Sequence, residues 1–412
     1  MERVHSLFGF AVFILIAYAL SENRGGVRWR VVLGAVLLQI TFALLFLHVP
    51  FLSDAIFSLS HAAALLQEAA EEGSTFIFGY LGGGAAAWQN LDPGAAHIFA
   101  FRILPLVIVV SALSSLLFYW GVLPFLIRLF ARLLQRSLNI SGPVGFGAGA
   151  SVFMGTIETP LLIRPYLASM QRGELFAILT CIMATVAGTV MVAFAALVEP
   201  VVPGALGHIL VASVTSVPAA IVVAHLMIPV GAQEGGELPA VHSEADGSFD
   251  AIMRGTGDGM RIALDIAATI IVLLALVHIL NATIGLIPLE EPVTVQGLVG
   301  QLMRPLVWLM GIPWSETAVA GEYMGVKTVM NEFVAYIQLG ESGGEGLSER
   351  SRLILMYALC GFANLGSVGI VVGGLNSMLP DRRKEVAELS LKALVAGTLA
   401  TMMTGALIGA LG

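Results

Sequence analysis

The stretch that decides the fold is Gly325-Val326-Lys327-Thr328-Val329-Met330-Asn331-Glu332-Phe333-Val334-Ala335-Tyr336. It sets a lysine, an asparagine and a glutamate inside a chain of 412 residues that is 57% hydrophobic and only 12% charged, with mean hydropathy +0.90. A soluble domain carries about 25% charged residues, so this composition specifies a polytopic membrane protein. A carboxylate at bilayer depth costs roughly 2.5 kcal/mol or more and persists only where it faces a cavity, a partner or a ligand. A second such segment, Gly155-Thr156-Ile157-Glu158-Thr159-Pro160-Leu161-Leu162-Ile163-Arg164-Pro165, lies in the first half of the chain. Two acidic, interrupted hydrophobic segments in corresponding halves point to the substrate site of a transporter.

Working outward, apolar runs near residues 5–21, 31–49, 98–121, 173–197, 202–226, 260–284, 351–373 and 386–410 give about eight spanning helices. The run Leu7–Leu20 lacks a small-residue cleavage site and reads as a span rather than a signal peptide. Arg24, Arg28 and Arg30, like Arg382, Arg383 and Lys384, belong on the cytoplasmic side by the positive-inside bias, which puts Glu341, Glu345 and Glu349 outside. Residues 120–137, with Arg128, Arg132 and Arg136 at helical spacing, predict an amphipathic helix lying along the membrane, and residues 53–69, containing His61, predict a weaker one. The polar stretch 233–250 is acidic and rich in Gly, Pro and Ser, and reads as a mobile cytoplasmic linker.

Residues 142–169 and 312–340 fit neither a span nor a loop. Each is apolar at both ends and polar in the middle, the pattern of a re-entrant hairpin buried in protein. Each is followed by a span with a polar, Gly-containing break, Met183-Ala184-Thr185-Val186-Ala187-Gly188-Thr189 and Gly361-Phe362-Ala363-Asn364-Leu365-Gly366-Ser367. By the charge bias one broken helix starts inside and the other outside, which makes the two units an inverted repeat. The expected organisation is residues 1–121 as N-terminal spanning helices of a mainly scaffold character, and 122–228 as interfacial helix, first hairpin and broken helix. Residues 229–258 follow as the linker, and 259–412 as a scaffold helix, second hairpin, broken helix and final span.

The chemistry centres on Glu332 and Asn331 as acceptors for hydroxyl groups of a polar solute, unless Glu332 simply pairs with Lys327. Glu158 could likewise pair with Arg164, although Pro160 and Pro165 break the helical facing between them. Asn364 and Ser367 share a helix face at i and i+3 and, opposite an acidic hairpin, read as ligand contacts rather than interhelical glue. Phe362 could stack on a ring. Thr185 with its neighbouring carbonyls, and Ser151, offer the hard oxygens an alkali cation uses. Cys181 and Cys360 read as small buried hydrophobes. The glycines at 142, 145, 147 and 149 lack the Gly-Lys-Ser/Thr ending of a phosphate loop and suit close backbone packing. His48, His61, His97, His225 and His278 are too scattered for a metal site, no cofactor is implied, and a net charge of −8 argues against nucleic acid as a partner. A channel would want rings of charge or carbonyls along a pore, and an intramembrane enzyme a nucleophile–base pair or metal set; neither pattern is present in the sequence.

The Gly325–Tyr336 stretch resembles the signature Gly-x-Lys-x-x-x-Asn-Glu-Phe-Val-Ala-Tyr of bacterial and other concentrative nucleoside transporters. Phe99–Pro105, Gly155-x-x-Glu158-x-Pro160, Gly361-Phe362-Ala363-Asn364-x-x-Ser367 and Ser21-x-Asn23-Arg24 are similar to further family segments, so the resemblance covers all but the linker. It implies an all-α homotrimer in the inner-membrane lipid bilayer, with scaffold and transport domains, importing nucleosides by an elevator-type movement coupled to H+ or Na+. Carried over by motif, the first hairpin tip (Thr156, Ile157, Glu158) meets the base. Glu332, Asn364 and Ser367 meet the ribose, and Phe362 lines the site. Ser151, Met154, Thr185 and Val186 make up the corresponding sodium position. This chain departs from the family's Gly-Gln-Thr/Ser-Glu at Thr156 and Ile157, which removes hydrogen-bond partners for the base. Ser151 stands where the family has asparagine, and losing that amide oxygen favours protons over sodium as the coupling ion. A carrier of nucleobases or of another polar solute is the alternative.

Overall fold

The computed structural model describes residues 2–85, 98–231, 238–239, 243–286 and 293–412, and among these there is no strand. The helices are α1 (Glu2–Ala19), α2 (Trp29–His48), α3 (Pro50–Phe78), α4 (Phe99–Arg102), α5 (Leu104–Tyr119), α6 (Val122–Leu138), α7 (Gly142–Ala150), α8 (Glu158–Leu162), α9 (Arg164–Leu167) and α10 (Arg172–Ala184). They continue as α11 (Gly188–Val198), α12 (Ala205–Met227), α13 (Ser248–Ile284), α14 (Val295–Leu309), α15 (Thr317–Val329), α16 (Glu332–Glu341), α17 (Glu349–Leu359), α18 (Leu365–Met378) and α19 (Arg383–Leu411). Among the described residues, seven stretches are long and apolar enough to cross a membrane: Glu2–Ala19, Trp29–His48, Phe99–Tyr119, Arg172–Val198, Ala205–Met227, Ser248–Ile284 and Pro380–Leu411. The remaining expected span, near 351–373, is divided between α17 and α18, of 11 and 14 residues, at the break the sequence signals.

At the centre stand α12 and α19, whose apolar side chains are buried almost all round, as expected of helices enclosed by other helices. Around them pack α1, α2, α10 and α17. The N-terminal pair α1 and α2, expected in the scaffold, thus joins this central body. The helix α13 packs chiefly on α5, with Gly255 and Gly259 seated against the backbone of Ile108, Ser111 and Ala112. Much of the remaining surface of α13 is exposed apolar side chain, including Leu264, Ile271 and Leu280. This is the surface lipid or another subunit covers in a membrane protein.

Both hairpins form. In the first, α7 descends, the chain turns at 151–157 and α8 and α9 return; in the second, α15 and α16 pack on each other around Met330 and Asn331. The glycine run is a packing surface, since Gly145 and Gly149 bring α7 against the backbone of Ala131 and Ile127 in α6. That helix is amphipathic as expected: Ile127, Ala131, Leu134 and Leu138 are buried while Arg132 and Arg136 are exposed.

Three features depart from the expectations. The weak surface helix near 53–69 belongs to the continuous 29-residue α3. In the 233–250 linker, residues 233–237 and 240–242 lie outside the described residues, and the part of 229–258 from Ser248 onward is already α13. The sequence reading also missed α14, whose Gln296, Gln301, Arg304 and Pro305 hide it from a hydropathy search. It packs along α15 at glycine distance: a Cβ on Gly325, the first residue of the signature stretch, would lie 2.4 Å from the Gln296 carbonyl oxygen.

The two membrane faces carry separate polar clasps. At one, Arg172 donates to Glu22 (3.1 Å) and Glu388 (2.6 Å), and Lys392 pairs with both acids, joining α10 to the α1–α2 loop and α19. The hydrogen bond from Arg172, ahead of that from Lys392, holds the Glu22 carboxyl below its ordinary range. Its small, solvent-screened contribution to stability is therefore present above the ordinary carboxylate pKa and lost as pH falls through the lowered one. At the other face, Arg350 donates to the carbonyls of Gly311 (2.7 Å) and Gly409 (2.6 Å) and to Ser6 Oγ (2.9 Å). Arg24, Arg28 and Arg382 lie with the first clasp, and Glu341, Glu345 and Glu349 with the helix ends opposite, consistent with the charge bias.

Candidate substrate site

The helix α16 begins at Glu332 because Asn331 caps it: the Asn331 Oδ1 accepts from Val334 N (2.9 Å) with extended backbone at the cap. Asn331, expected as a solute acceptor, spends that oxygen on the helix. In the second broken helix Asn364 does the same for α18, its Oδ1 accepting from Ser367 N at 2.7 Å. The other end of the Asn364 amide donates to Glu332 Oε2, also at 2.7 Å. One asparagine thus caps one half-helix and holds the carboxylate at the start of another. Glu332, 4% exposed, sits at the positive end of α16, where the helix dipole and free N–H groups favour an anion.

Lys327 does not form the ion pair with Glu332 that the sequence allowed. Its fully buried ammonium donates to Ala358 O (2.7 Å) and Thr401 Oγ1 (3.4 Å), satisfying a carbonyl at the C-terminal end of α17. Nor does Glu158 pair with Arg164, which is exposed on α9; the Glu158 carboxylate instead faces backbone N–H groups of Gly155 and Ile157 at the hairpin turn. The two helix breaks meet at the centre, where Phe362 N donates to the Thr185 carbonyl at 3.2 Å.

Between these ends lies a cavity of about 190 Å³. All seven residues expected to meet substrate line it: Thr156, Ile157 and Glu158 from the first hairpin, Glu332 from the second, and Phe362, Asn364 and Ser367 from the second break. The side chain of Ile157 also fills the space above Gly374 in α18. Thr189, Val190 and Phe194 of α11 and Phe333 of α16 supply apolar and aromatic wall, with Phe194 edge-on to Phe333 at 4.6 Å. Four further lining residues, Ile262, Asp265, Ile266 and Thr269, come from α13. Asp265 escaped the sequence reading, although the rule that singled out Glu332, an acid inside an apolar span, applies to it equally. No lysine or arginine lines the cavity among the described residues.

Ser151, Met154, Thr185 and Val186 lie behind this wall rather than in it. Ser151 closes α7, Met154 follows in the turn, and Thr185 and Val186 form the α10–α11 break, joined to that turn by Gly188 N donating to Phe153 O at 3.0 Å. The Ser151 hydroxyl donates to Ala148 O and the Thr185 hydroxyl to Cys181 O, both at 2.9 Å. Each oxygen keeps its lone pairs for a further partner. Cys181 and Cys360 are both buried and reduced, as read.

With this geometry in view, three family descriptions match in succession: Na+ dependent nucleoside transporter N-terminus over residues 8–81, nucleoside recognition over 100–201, and Na+ dependent nucleoside transporter C-terminus over 208–409. The chain belongs to the concentrative nucleoside transporter family. It is 32% identical to the nucleoside permease NupC of Helicobacter pylori, over 99% of this chain and 97% of that one. It is also 32% identical to sodium/nucleoside cotransporter 2 of Rattus norvegicus, over 100% of this chain and 63% of the rat protein. Among solved structures, CNTnw in an inward-facing substrate-bound state superposes with a TM-score of 0.90 at 35% identity, covering 100% of this chain and 98% of that one. This concentrative nucleoside transporter homologue is therefore a multi-pass membrane protein with the all-α hairpin and broken-helix fold that its sequence implied.

Proposed function

We propose that this protein is a proton-coupled nucleoside symporter of the bacterial inner membrane, working as a homotrimer by an elevator-type movement of the hairpin-bearing body past the α5–α13 pair. The observation that carries the reading is one cavity lined by both Glu158 and Glu332, from the two hairpins, together with apolar and aromatic wall. Glu158 and Thr156 are assigned to the base, Glu332, Asn364 and Ser367 to the ribose hydroxyls, and Phe362 to the ring faces. A carboxylate accepts from hydroxyl and N–H groups, and a wall without cations offers nothing to a phosphate, so nucleosides fit and nucleotides do not. One proton moving inward through 100 mV supplies about 2.3 kcal/mol, enough to concentrate a solute about fiftyfold.

Reconstituted protein tests the solute and the ion together. Radiolabelled uridine uptake is expected to follow an imposed pH gradient with choline replacing sodium, and to be competed by adenosine but not by free ribose or uridine monophosphate. Strict dependence on sodium would overturn the proton assignment and promote Ser151, Met154, Thr185 and Val186 to sodium ligands, a role that the committed hydroxyl hydrogens of Ser151 and Thr185 suit. Competition by uracil in place of uridine would favour a nucleobase carrier.

Base choice rests on Thr156 and Ile157, where one short hydroxyl and an apolar side chain leave Glu158 as the strong acceptor. Purine and pyrimidine nucleosides are expected to bind within about tenfold of each other, since a neutral hydrogen bond contributes about 0.5–1.5 kcal/mol. The double substitution Thr156→Gln, Ile157→Thr should sharpen the preference toward uridine. An unchanged ratio of adenosine to uridine affinity would show that these positions do not set it.

A further inference from the structure

Asp265 is the eighteenth of the 37 residues of α13, far from both helix ends, and it faces the cavity. Asp258, Ile262, Asp265 and Thr269 recur at i, i+4, i+7 and i+11, one face of the helix, beside the stripe of Gly255 and Gly259 that seats α13 on α5. Its carboxylate makes no hydrogen bond or ion pair with any described residue, Arg261 one turn away included. Glu332 is held by Asn364, and Glu158 by its own hairpin turn; Asp265 is the cavity carboxylate whose acceptors stay uncommitted. An acidic side chain within a span is retained where it meets water, a partner or a ligand, and the space in front of this one is the cavity.

The setting also distinguishes it from the other acids. Glu158 sits on a hairpin that packs on α6 and α10, and Glu332 on one that packs on α14, α11 and α17, whereas α13 packs chiefly on α5. A contact from α13 therefore joins the solute to a different layer of the protein. Resting on the nucleoside reading above, we infer that Asp265 is a further substrate-binding residue, accepting a hydrogen bond from the ribose hydroxyl that Glu332, Asn364 and Ser367 leave free. If the hairpin body travels along α13, this bond forms only at the level of the cavity seen here and must break for the solute to move on. The carrier would then hold its solute more tightly at this level than after it.

The test is a cycle between protein and ligand, read as equilibrium binding to purified protein. Asp265→Ala is expected to weaken uridine binding about tenfold, the scale of a hydrogen bond to a charged acceptor. The same substitution should leave unchanged the affinity for one of 2′-, 3′- or 5′-deoxyuridine, the analogue lacking the partner hydroxyl. Asp265→Asn, which keeps an acceptor oxygen, should fall between. An equal penalty for uridine and all three analogues would overturn the direct contact and mark Asp265 as merely structural. So would a penalty that vanishes at saturating sodium or at low pH, which would assign the carboxylate to the coupling cation. Failure of Asp265→Ala to alter uridine binding, while Glu332→Gln weakens it about a hundredfold, would remove this inference and leave the nucleoside reading intact. A wild type that binds no nucleoside would end both.

Discussion

Glu332→Gln is expected to lower uridine affinity by roughly a hundredfold and to abolish concentrative uptake. Two charge-assisted hydrogen bonds to ribose hydroxyls, at about 1.5–3 kcal/mol each, account for a loss of that size. The amide is nearly isosteric, so the effect is chemical. Its oxygen can still accept from Asn364 Nδ2, but its NH2 then faces the solute with donors where the sugar also brings donors. On the proposed proton coupling, the amide also removes the titratable group. The fold should survive, because Lys327 takes its hydrogen bonds from Ala358 O and Thr401 rather than from Glu332, and Asn331 still caps α16. Unchanged expression, an unchanged elution volume on size exclusion and uridine binding weakened about a hundredfold are the expected set. Normal uptake by this variant would remove Glu332 from the site.

Much of the site was legible because membrane burial makes polar residues conspicuous. Glu158, Glu332, Asn364 and Ser367 stand out against apolar neighbours, and all reach one cavity. What local sequence could not say is how each polar atom is used. Asn331 and Asn364 look alike and each oxygen caps its own half-helix, yet it is the Asn364 amide that also reaches across to Glu332, a difference fixed by which half-helix lies opposite. Lys327, five positions before Glu332, left a local ion pair open, and the ammonium instead found a carbonyl 31 residues away in α17. The helix α14 was hidden because its function is to lie along α15 through Gly300, Gly321 and Gly325, and close backbone contact leaves no hydrophobic signal. The proposed base end came only through the resemblance: Thr156 and Ile157, which line the cavity, are unremarkable residues except where a family places amide and hydroxyl.

Gly361→Ala is expected to prevent the site from forming at all. Gly361 opens the second helix break with φ of +149°, a region that L side chains rarely adopt. Its backbone lies where the two breaks cross. A Cβ there would stand 2.9 Å from the Met183 carbonyl oxygen, 3.0 Å from the Ala184 carbonyl carbon and 2.8 Å from Thr401 Cγ2. Two of these atoms are backbone of α10, so no rotamer change relieves them. The break would have to move, and it carries the Phe362 N to Thr185 O hydrogen bond that joins the repeats. Asn364, three residues on, would shift with it and lose its aim at Glu332. Backbone strain of about 1–3 kcal/mol adds to overpacking of about 1–3 kcal/mol, a large fraction of the stability of most domains. The measurement is the midpoint of thermal unfolding in detergent together with uridine binding at low temperature. Both should fall sharply in Gly361→Ala, whereas Gly369→Ala in α18, where a Cβ meets nothing within 4 Å, should keep both near wild type. A Gly361→Ala protein with wild-type stability and binding would show that the crossing of the two breaks tolerates displacement and does not fix the geometry of the site.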